Sequence, residues 1–228
     1  MTSSSGPAGE LRLERKFEFP PPAFGVEETL RRLPGLFREA YPVRFVNSLY
    51  LDTLARGDYL AGVDGQGERR KVRLRWYGAL FGSHCPALEL KDKHGLAVRK
   101  RSYRLGHAEI SPAFRSAELR RLLERADLPA DAGLAWAART PSLLTRYRRS
   151  YHLSHDRRLR LTVDTDIRAY RWGGSTGLSP AGPVGLGAVL ELKYDPADEG
   201  RARDLTQALR VRLSRYSKYV RAVETVGA

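Results

Sequence analysis

The sequence predicts an α+β protein that is mainly antiparallel β, with about eight strands closed into a barrel and helices packed outside. Three observations lead there. Most of the chain alternates apolar and polar residues with period two, the spacing that sends successive strand side chains to opposite faces. The strand-like runs are separated by short turn signals, so they read as hairpins rather than as βαβ units. Helical patterns are few, and a sheet of this size loses its exposed edges by closing on itself.

Taken in order, "LRLERKFEF" (11–19) is the first strand, with Arg12, Glu14, Lys16 and Glu18 on one face. Leu11, Leu13, Phe17 and Phe19 share the other face with Arg15. "VEETLRRLPGLFREAYP" (26–42) is an amphipathic helical pattern interrupted at Pro34. "RFVNSLYLDT" (44–53) is β-branched and aromatic, hence a strand. After the polar turn "GVDGQGE" comes "KVRLRWYG" (71–78), in which Lys71, Arg73 and Arg75 alternate with Val72, Leu74 and Trp76. "PALELKDK" (86–93) and "LAVRKRSYRL" (96–105) flank His94-Gly95 and form a hairpin.

Next, "SPAFRSAELRRLLERADLP" (111–129) has an N-cap serine, a proline at the first helical position and helical spacing. "SLLTRYRRSYHLS" (142–154) and "RRLRLTVDTDIRAYR" (157–171) make a second hairpin around His155-Asp156. Residues 173–187 are a Gly/Pro/Ser loop, followed by the strand "AVLELKY" (188–194). A long C-terminal helix over 197–214 is expected to run on into "SRYSKYVRAVE". Residues 1–9 read as a disordered lead, and residues 10–228 as a single domain.

The polar faces are rich in cations. Lys71, Arg73 and Arg75 form one row, Glu89, Lys91 and Lys93 another, and Arg99, Arg101 and Tyr103 a third. Tyr147 aligns with Arg149; Arg160 and Thr162 align with Asp164; Glu191 aligns with Lys193. A half-wetted antiparallel sheet explains any single strand of this kind. Cations set opposite one another across several strands repel, so such a sheet needs either wide exposure or a bound polyanion. If the charged faces turn inward, the barrel becomes an anion-binding tunnel.

Composition narrows the partners. The chain has 228 residues and a formal net charge of +14, which favours polyanionic partners. Cys85 is the only cysteine, so no internal disulfide and no thiolate metal cluster can form. His84, His94, His107, His152 and His155 are scattered over turns and strand ends, and the glycine-rich loop lacks a Walker lysine. A nucleic-acid groove is disfavoured because acids are interleaved on the cationic faces. No apolar run reaches membrane-spanning length and no secretory signal is present, so a cytoplasmic location is expected.

The ordered series "LERKF", "SLYLDT", "KVRLRWYG", "LELKDKHG", "VRKRS", "RYRRSY", "LTVDTDI", "LELKY" and "SRYSKY" resembles the VTC domain. This is the polyphosphate-polymerase branch of the triphosphate tunnel metalloenzyme (CYTH-like) superfamily. The likeness spans residues 10–224 and implies an eight-stranded antiparallel tunnel holding a triphosphate and a divalent metal. The superfamily's first-strand motif is E-x-E-x-K; here it reads Arg12-Leu13-Glu14-Arg15-Lys16, without the first glutamate, as is common in the polymerase branch.

By position, the resemblance makes Lys16, Arg73, Arg75, Lys91, Arg99 and Arg149 phosphate ligands, with Tyr147 a hydroxyl donor. Arg101 and Lys193 extend the phosphate-binding rows. Glu191 corresponds to the metal-binding glutamate, and Glu14 is the second candidate ligand for Mn²⁺ or Mg²⁺. Arg215, Ser217 and Lys218 match the helical motif that closes on the terminal phosphates. The roles of Lys16, Arg73, Arg75, Lys91, Arg149 and Lys218 are then catalytic. The implied activity is transfer of the ATP γ-phosphoryl to polyphosphate. A tripolyphosphate or nucleoside-triphosphate hydrolase and a non-catalytic polyphosphate-binding module are the alternatives.

Overall fold

The computed structural model describes residues 13–19, 25–95, 97–173 and 184–227. Arg12, the lead 1–9 and most of the Gly/Pro/Ser loop lie outside the described residues. In chain order the elements are β1 (Leu13–Phe19), α1 (Val26–Arg32), β2 (Arg38–Asp52), α2 (Gly57–Val63), β3 (Glu68–Tyr77) and β4 (Gly82–His84). Then come β5 (Ala87–His94), β6 (Ala97–Arg104), β7 (Ala108–Ile110), α3 (Ser116–Glu124), α4 (Ala130–Ala137) and β8 (Thr140–Leu153). The last are β9 (Arg160–Arg171), β10 (Val184–Gly185), β11 (Ala188–Tyr194), α5 (Glu199–Leu209) and α6 (Lys218–Val226). This is the expected α+β chain dominated by antiparallel strands. Among the described residues, no helix is long and apolar enough to cross a membrane.

The chain forms two compact units, one from Met1–Val43, Arg149–Thr165 and Gly187–Tyr216, the other from Arg44–Arg148, Asp166–Leu186 and Ser217–Ala228. Strands β2, β8 and β9 are long enough to contribute to both.

In the first unit, β1 pairs antiparallel with β11, and β11 with β9. Phe17, Leu161, Leu190 and Leu192 share the apolar face, which packs against Ala202, Leu205 and Leu209 of α5. Arg15 lies on this face too. Its guanidinium donates to the Ala202 carbonyl at 3.0 Å and pairs with Glu199 on α5. The opposite face therefore carries Glu14, Lys16, Glu191, Lys193, Arg160 and Thr162.

In the second unit, β2 pairs with β3, β3 with β5, and β5 with β6, all antiparallel. Leu49, Val72, Leu74, Leu88 and Leu90 form its core with Leu119 and Leu123 of α3 and Ala132 and Ala135 of α4. Burying each such leucine is worth about 1.5–3 kcal/mol, so the register that puts these residues inward is strongly favoured. Lys71, Arg73 and Arg75 are thereby forced onto the other face.

Several expectations need correcting. The helical pattern over 26–42 stops at Arg32, and residues from Arg38 onward are strand β2. Pro34 breaks the helix, and the chain reverses through Gly35 and Leu36, both at positive φ. The helix expected from Ser111 begins at Ser116, with Ser111 instead bonding the nearby Ala113 N–H. The long C-terminal helix is two: α5 ends at Leu209, followed by Arg210 at φ 50°, and α6 starts afresh after Ser217. Helices α2 and α4 and the small β4–β7 sheet are additional. α2 is held by the Asp52 carboxylate, which accepts from the Asp58 and Tyr59 N–H groups at 2.9 and 3.0 Å.

Candidate functional site

Two groups of charged side chains emerge, one in each unit. In the second unit the register sets Lys71 opposite Lys91, and Lys91 opposite Lys100, a row of lysines across three adjacent strands. The next row sets Tyr50 opposite Arg73, Arg73 opposite Glu89, and Glu89 opposite Ser102. Beyond that, Ser48 lies opposite Arg75.

The acid in the middle organises the cations. Arg73 donates Nε and Nη2 to Glu89 Oε2 at 2.9 and 2.6 Å, and Nη1 to the Tyr50 hydroxyl at 3.4 Å. Arg75 places Nη1 at 3.3 Å from the same oxygen. Its Nε and Nη2 donate to Ser48 Oγ at 3.2 Å, and Nη2 also donates to the Tyr147 hydroxyl at 3.2 Å. Lys100 Nζ approaches Glu89 Oε1 at 3.3 Å. One carboxylate with a side chain only 7% exposed thus serves three cations. Burial raises the Glu89 carboxyl, but Arg73 and Arg75 outweigh it and hold the group at about 2. Burial lowers Lys100, and repulsion from Arg73 and Arg75 adds to that against the pull of Glu89. For Tyr50 burial acts upward, yet Arg73, Arg75 and Lys218 bring its phenol below the ordinary value. Every guanidinium nitrogen of Arg73 and Arg75 has a protein partner, so the strain expected of a bare cation row is relieved from within.

The start of α6 belongs to the same group. Ser217 caps the helix, accepting from the Val220 N–H, and its hydroxyl receives Lys71 Nζ at 2.7 Å. Lys218 Nζ sits 4.8 Å from the centroid of the Tyr147 ring. Tyr219 stacks on Tyr50 with centroids 4.8 Å apart, and its hydroxyl donates to Asp52 Oδ2 at 2.5 Å. Helix placement and Arg73 placement are therefore tied through one pair of rings.

Arg99 and Arg101 are not part of this group. The β5–β6 register sets Arg99 opposite Asp92 and Arg101 opposite Leu90, on the face the helices cover. Arg101 is bound there by Asp92 at 2.7 Å and by Asp131 of α4. The residue of β6 that joins the cation face is Lys100, which sequence reasoning missed. The hairpin turn at Gly95 held the clue, since its register aligns Lys91 with Lys100.

In the first unit Lys16 stands opposite Glu191 and Glu14 opposite Lys193. Lys193 Nζ lies 2.7 Å from Glu191 Oε1 and 3.9 Å from Glu14 Oε2, and Lys16 Nζ lies 2.7 Å from Glu14 Oε1. Arg149 is clamped by Asp164 through Nε–Oδ1 at 2.6 Å and Nη2–Oδ2 at 2.7 Å. Burial raises the Glu191 carboxyl, but Lys193, Lys16 and Arg149 hold it well below the usual carboxylate range. Arg215 is exposed, in the segment that joins α5 to α6.

These donors suit a hard divalent ion. Glu191 and Glu14 already bracket one cation, the Lys193 ammonium, and both offer oxygen ligands. Among the described residues no three His, Cys, Asp or Glu side chains converge. A metal here would complete its shell from phosphate oxygens and water.

The VTC domain family matches residues 26–226, which takes in every element after β1. No curated protein matches the chain. Among solved structures, it is similar to a candidate adenylate cyclase from Vibrio parahaemolyticus, at 13% identity and TM-score 0.50, covering 97% of this chain and 100% of that one. A protein from Pyrococcus horikoshii aligns at 14% identity and TM-score 0.51, over 94% of this chain and 99% of its own. A candidate adenylate cyclase from Bacillus halodurans aligns at 14% identity and TM-score 0.50, over 91% and 94%. At such identities the likeness is one of fold.

Proposed function

The chain belongs to the VTC domain family, and on that premise we propose that it is a metal-dependent polyphosphate polymerase using ATP as phosphoryl donor. The observation that carries this reading is the lysine row Lys71–Lys91–Lys100 beside Arg73 and Arg75. Phosphoryl transfer asks a protein for charge neutralisation and positioning more than for covalent chemistry, and this face supplies the charge. The chain would act as a single functional domain over 10–228 built as a closed eight-stranded tunnel, in the cytoplasm, where ATP is plentiful.

In the reaction, a terminal oxygen of polyphosphate attacks the γ-phosphorus of ATP. The β–γ phosphoanhydride breaks, ADP departs, and the chain is one phosphate longer. Arg73, Lys71, Lys91 and Lys100 would bind phosphoryl oxygens, while Arg75, Ser48 and Tyr147 hold the cluster in place. Lys218 and Ser217, at the positively polarised start of α6, would engage the transferring end. Lys16, Lys193 and Arg149 would bind phosphates in the first unit. Glu191 and Glu14 would hold Mn²⁺ or Mg²⁺, which when bound neutralises phosphate charge.

Incubation with ATP and Mn²⁺ tests this. The expected product is ADP with a ladder of phosphate polymers on a gel and little orthophosphate. Stoichiometric orthophosphate with no ladder at any primer concentration would assign the chain to hydrolysis instead.

A further inference from the structure

The polar face of β3 does not end with its cations. Alternation carries Lys71, Arg73, Arg75 and then Tyr77 along one face. The register sets Tyr50 opposite Arg73, Ser48 opposite Arg75 and Val46 opposite Tyr77, and Arg44 follows two residues beyond Val46 on β2. Tyr77 is 45% exposed, and the Arg44 guanidinium lies over its ring, 4.5 Å from the centroid. A row of cations therefore ends in an exposed aromatic ring stacked with a planar cation. We propose that Tyr77 and Arg44 form a nucleoside subsite, on which the base of the donor nucleotide stacks.

A nucleoside triphosphate presents its three phosphates, its ribose and its base in that order, anionic at one end and flat at the other. The face has the same order. Lys71 Nζ donates to the Ser217 hydroxyl at 2.7 Å, so the start of α6, where the transferring end is engaged, lies at the Lys71 end of the row. Tyr77 closes the other end. Four residues separate Arg73 from Tyr77, about 13 Å along the strand, which leaves room for a ribose between phosphates and base. Every base has a π-face, and an aromatic ring or a guanidinium plane holds it by stacking without reading its edge. The subsite thus admits any nucleoside triphosphate and favours a nucleotide over a bare chain of equal phosphate number. This rests on the polyphosphate reading for where the phosphates lie, but needs no turnover.

The test is calorimetric binding of tripolyphosphate and of a non-hydrolysable ATP analogue, at fixed pH and ionic strength, to the unmodified protein, Tyr77→Ala, Tyr77→Phe and Arg44→Ala. Circular dichroism accompanies each titration. Tripolyphosphate carries the phosphates without the base, so the ratio of the two affinities isolates the base. Tyr77→Ala should weaken the analogue by about tenfold and leave tripolyphosphate unchanged. Tyr77→Phe keeps the ring and should bind both ligands as the unmodified protein does, whereas Arg44→Ala should lower the ratio. A ratio of analogue to tripolyphosphate affinity that does not fall in Tyr77→Ala would overturn the inference, and so would one that falls equally in Tyr77→Phe. If Tyr77→Ala does not fold, Arg44→Ala decides by the same ratio. Failure of the unmodified protein to bind either ligand would overturn the polyphosphate reading and this inference together, whereas tripolyphosphate binding with the analogue excluded, or with an unmoved ratio, overturns the inference alone.

Discussion

Replacing Arg75 with methionine asks whether the cation face is strained, as its sequence suggests, or internally neutralised, as its geometry shows. Arg75 is 6% exposed and approaches Glu89 Oε2 at 3.3 Å. At that distance and an effective dielectric near 20, the attraction is about 5 kcal/mol. Arg73 sits two residues along the same strand, roughly 6.7 Å away, where the repulsion is about 2.5 kcal/mol. Removing Arg75 also leaves the buried Ser48 hydroxyl short of a partner, at a cost of about 1 kcal/mol. The net expectation is a loss of about 3 kcal/mol, softened because Glu89 keeps Arg73 and Lys100. For a chain of this length that lowers Tm by about 6–12 °C. Urea denaturation of Arg75→Met, Glu89→Gln and the double variant completes the cycle. The double variant should lose less than the sum of the singles, by about 1 kcal/mol or more. An Arg75→Met protein as stable as the parent, or more so, would refute this account of the cluster.

Three further outcomes depend on where the structure places charge. Lys100→Ala should weaken tripolyphosphate binding by about tenfold or less, as removal of a partly exposed phosphate contact does. Arg99→Ala should leave that binding unchanged, because its strand position faces the helices; calorimetry distinguishes the two. Glu191→Gln preserves side-chain shape but removes the charge, so turnover with Mn²⁺ should drop by about 10²-fold or more while tripolyphosphate binding persists. Full Mn²⁺-dependent turnover in that variant would remove Glu191 from the metal site.

Much of the fold was legible because alternation is a local signal. From Lys71 to Arg75 in β3 the cations occupy every second position, so burial of Val72, Leu74 and Trp76 fixes the face of Lys71, Arg73 and Arg75. β1 and β11 read equally well, and their facing register brings Glu14, Lys16, Glu191 and Lys193 together. β6 was misread because Arg99, Lys100 and Arg101 are consecutive cations, leaving no alternation to follow. There the face is set by pairing with β5, a relation between strands rather than within one. Helix α2 escaped notice because two of its seven residues are glycine, and the distant-acting carboxylate of Asp52 supplies its anchor. The break at Arg210 was hidden as well, since no Pro or Gly marks it. Glu89 looked like one acid among many cations. Its three ion pairs exist only once β3, β5 and β6 are side by side.

The Arg73–Lys91–Lys100 face is proposed to bind the phosphates of a nucleotide or polyphosphate. A crystal structure of the protein with a non-hydrolysable ATP analogue and Mn²⁺ tests it most directly. The account predicts phosphoryl oxygens within hydrogen-bond distance of Arg73, Lys91 and Lys100, with the Glu89 carboxylate displaced from at least one guanidinium. Phosphates seated instead against Arg99 and Arg101, with the Glu89 ion pairs intact, would contradict it.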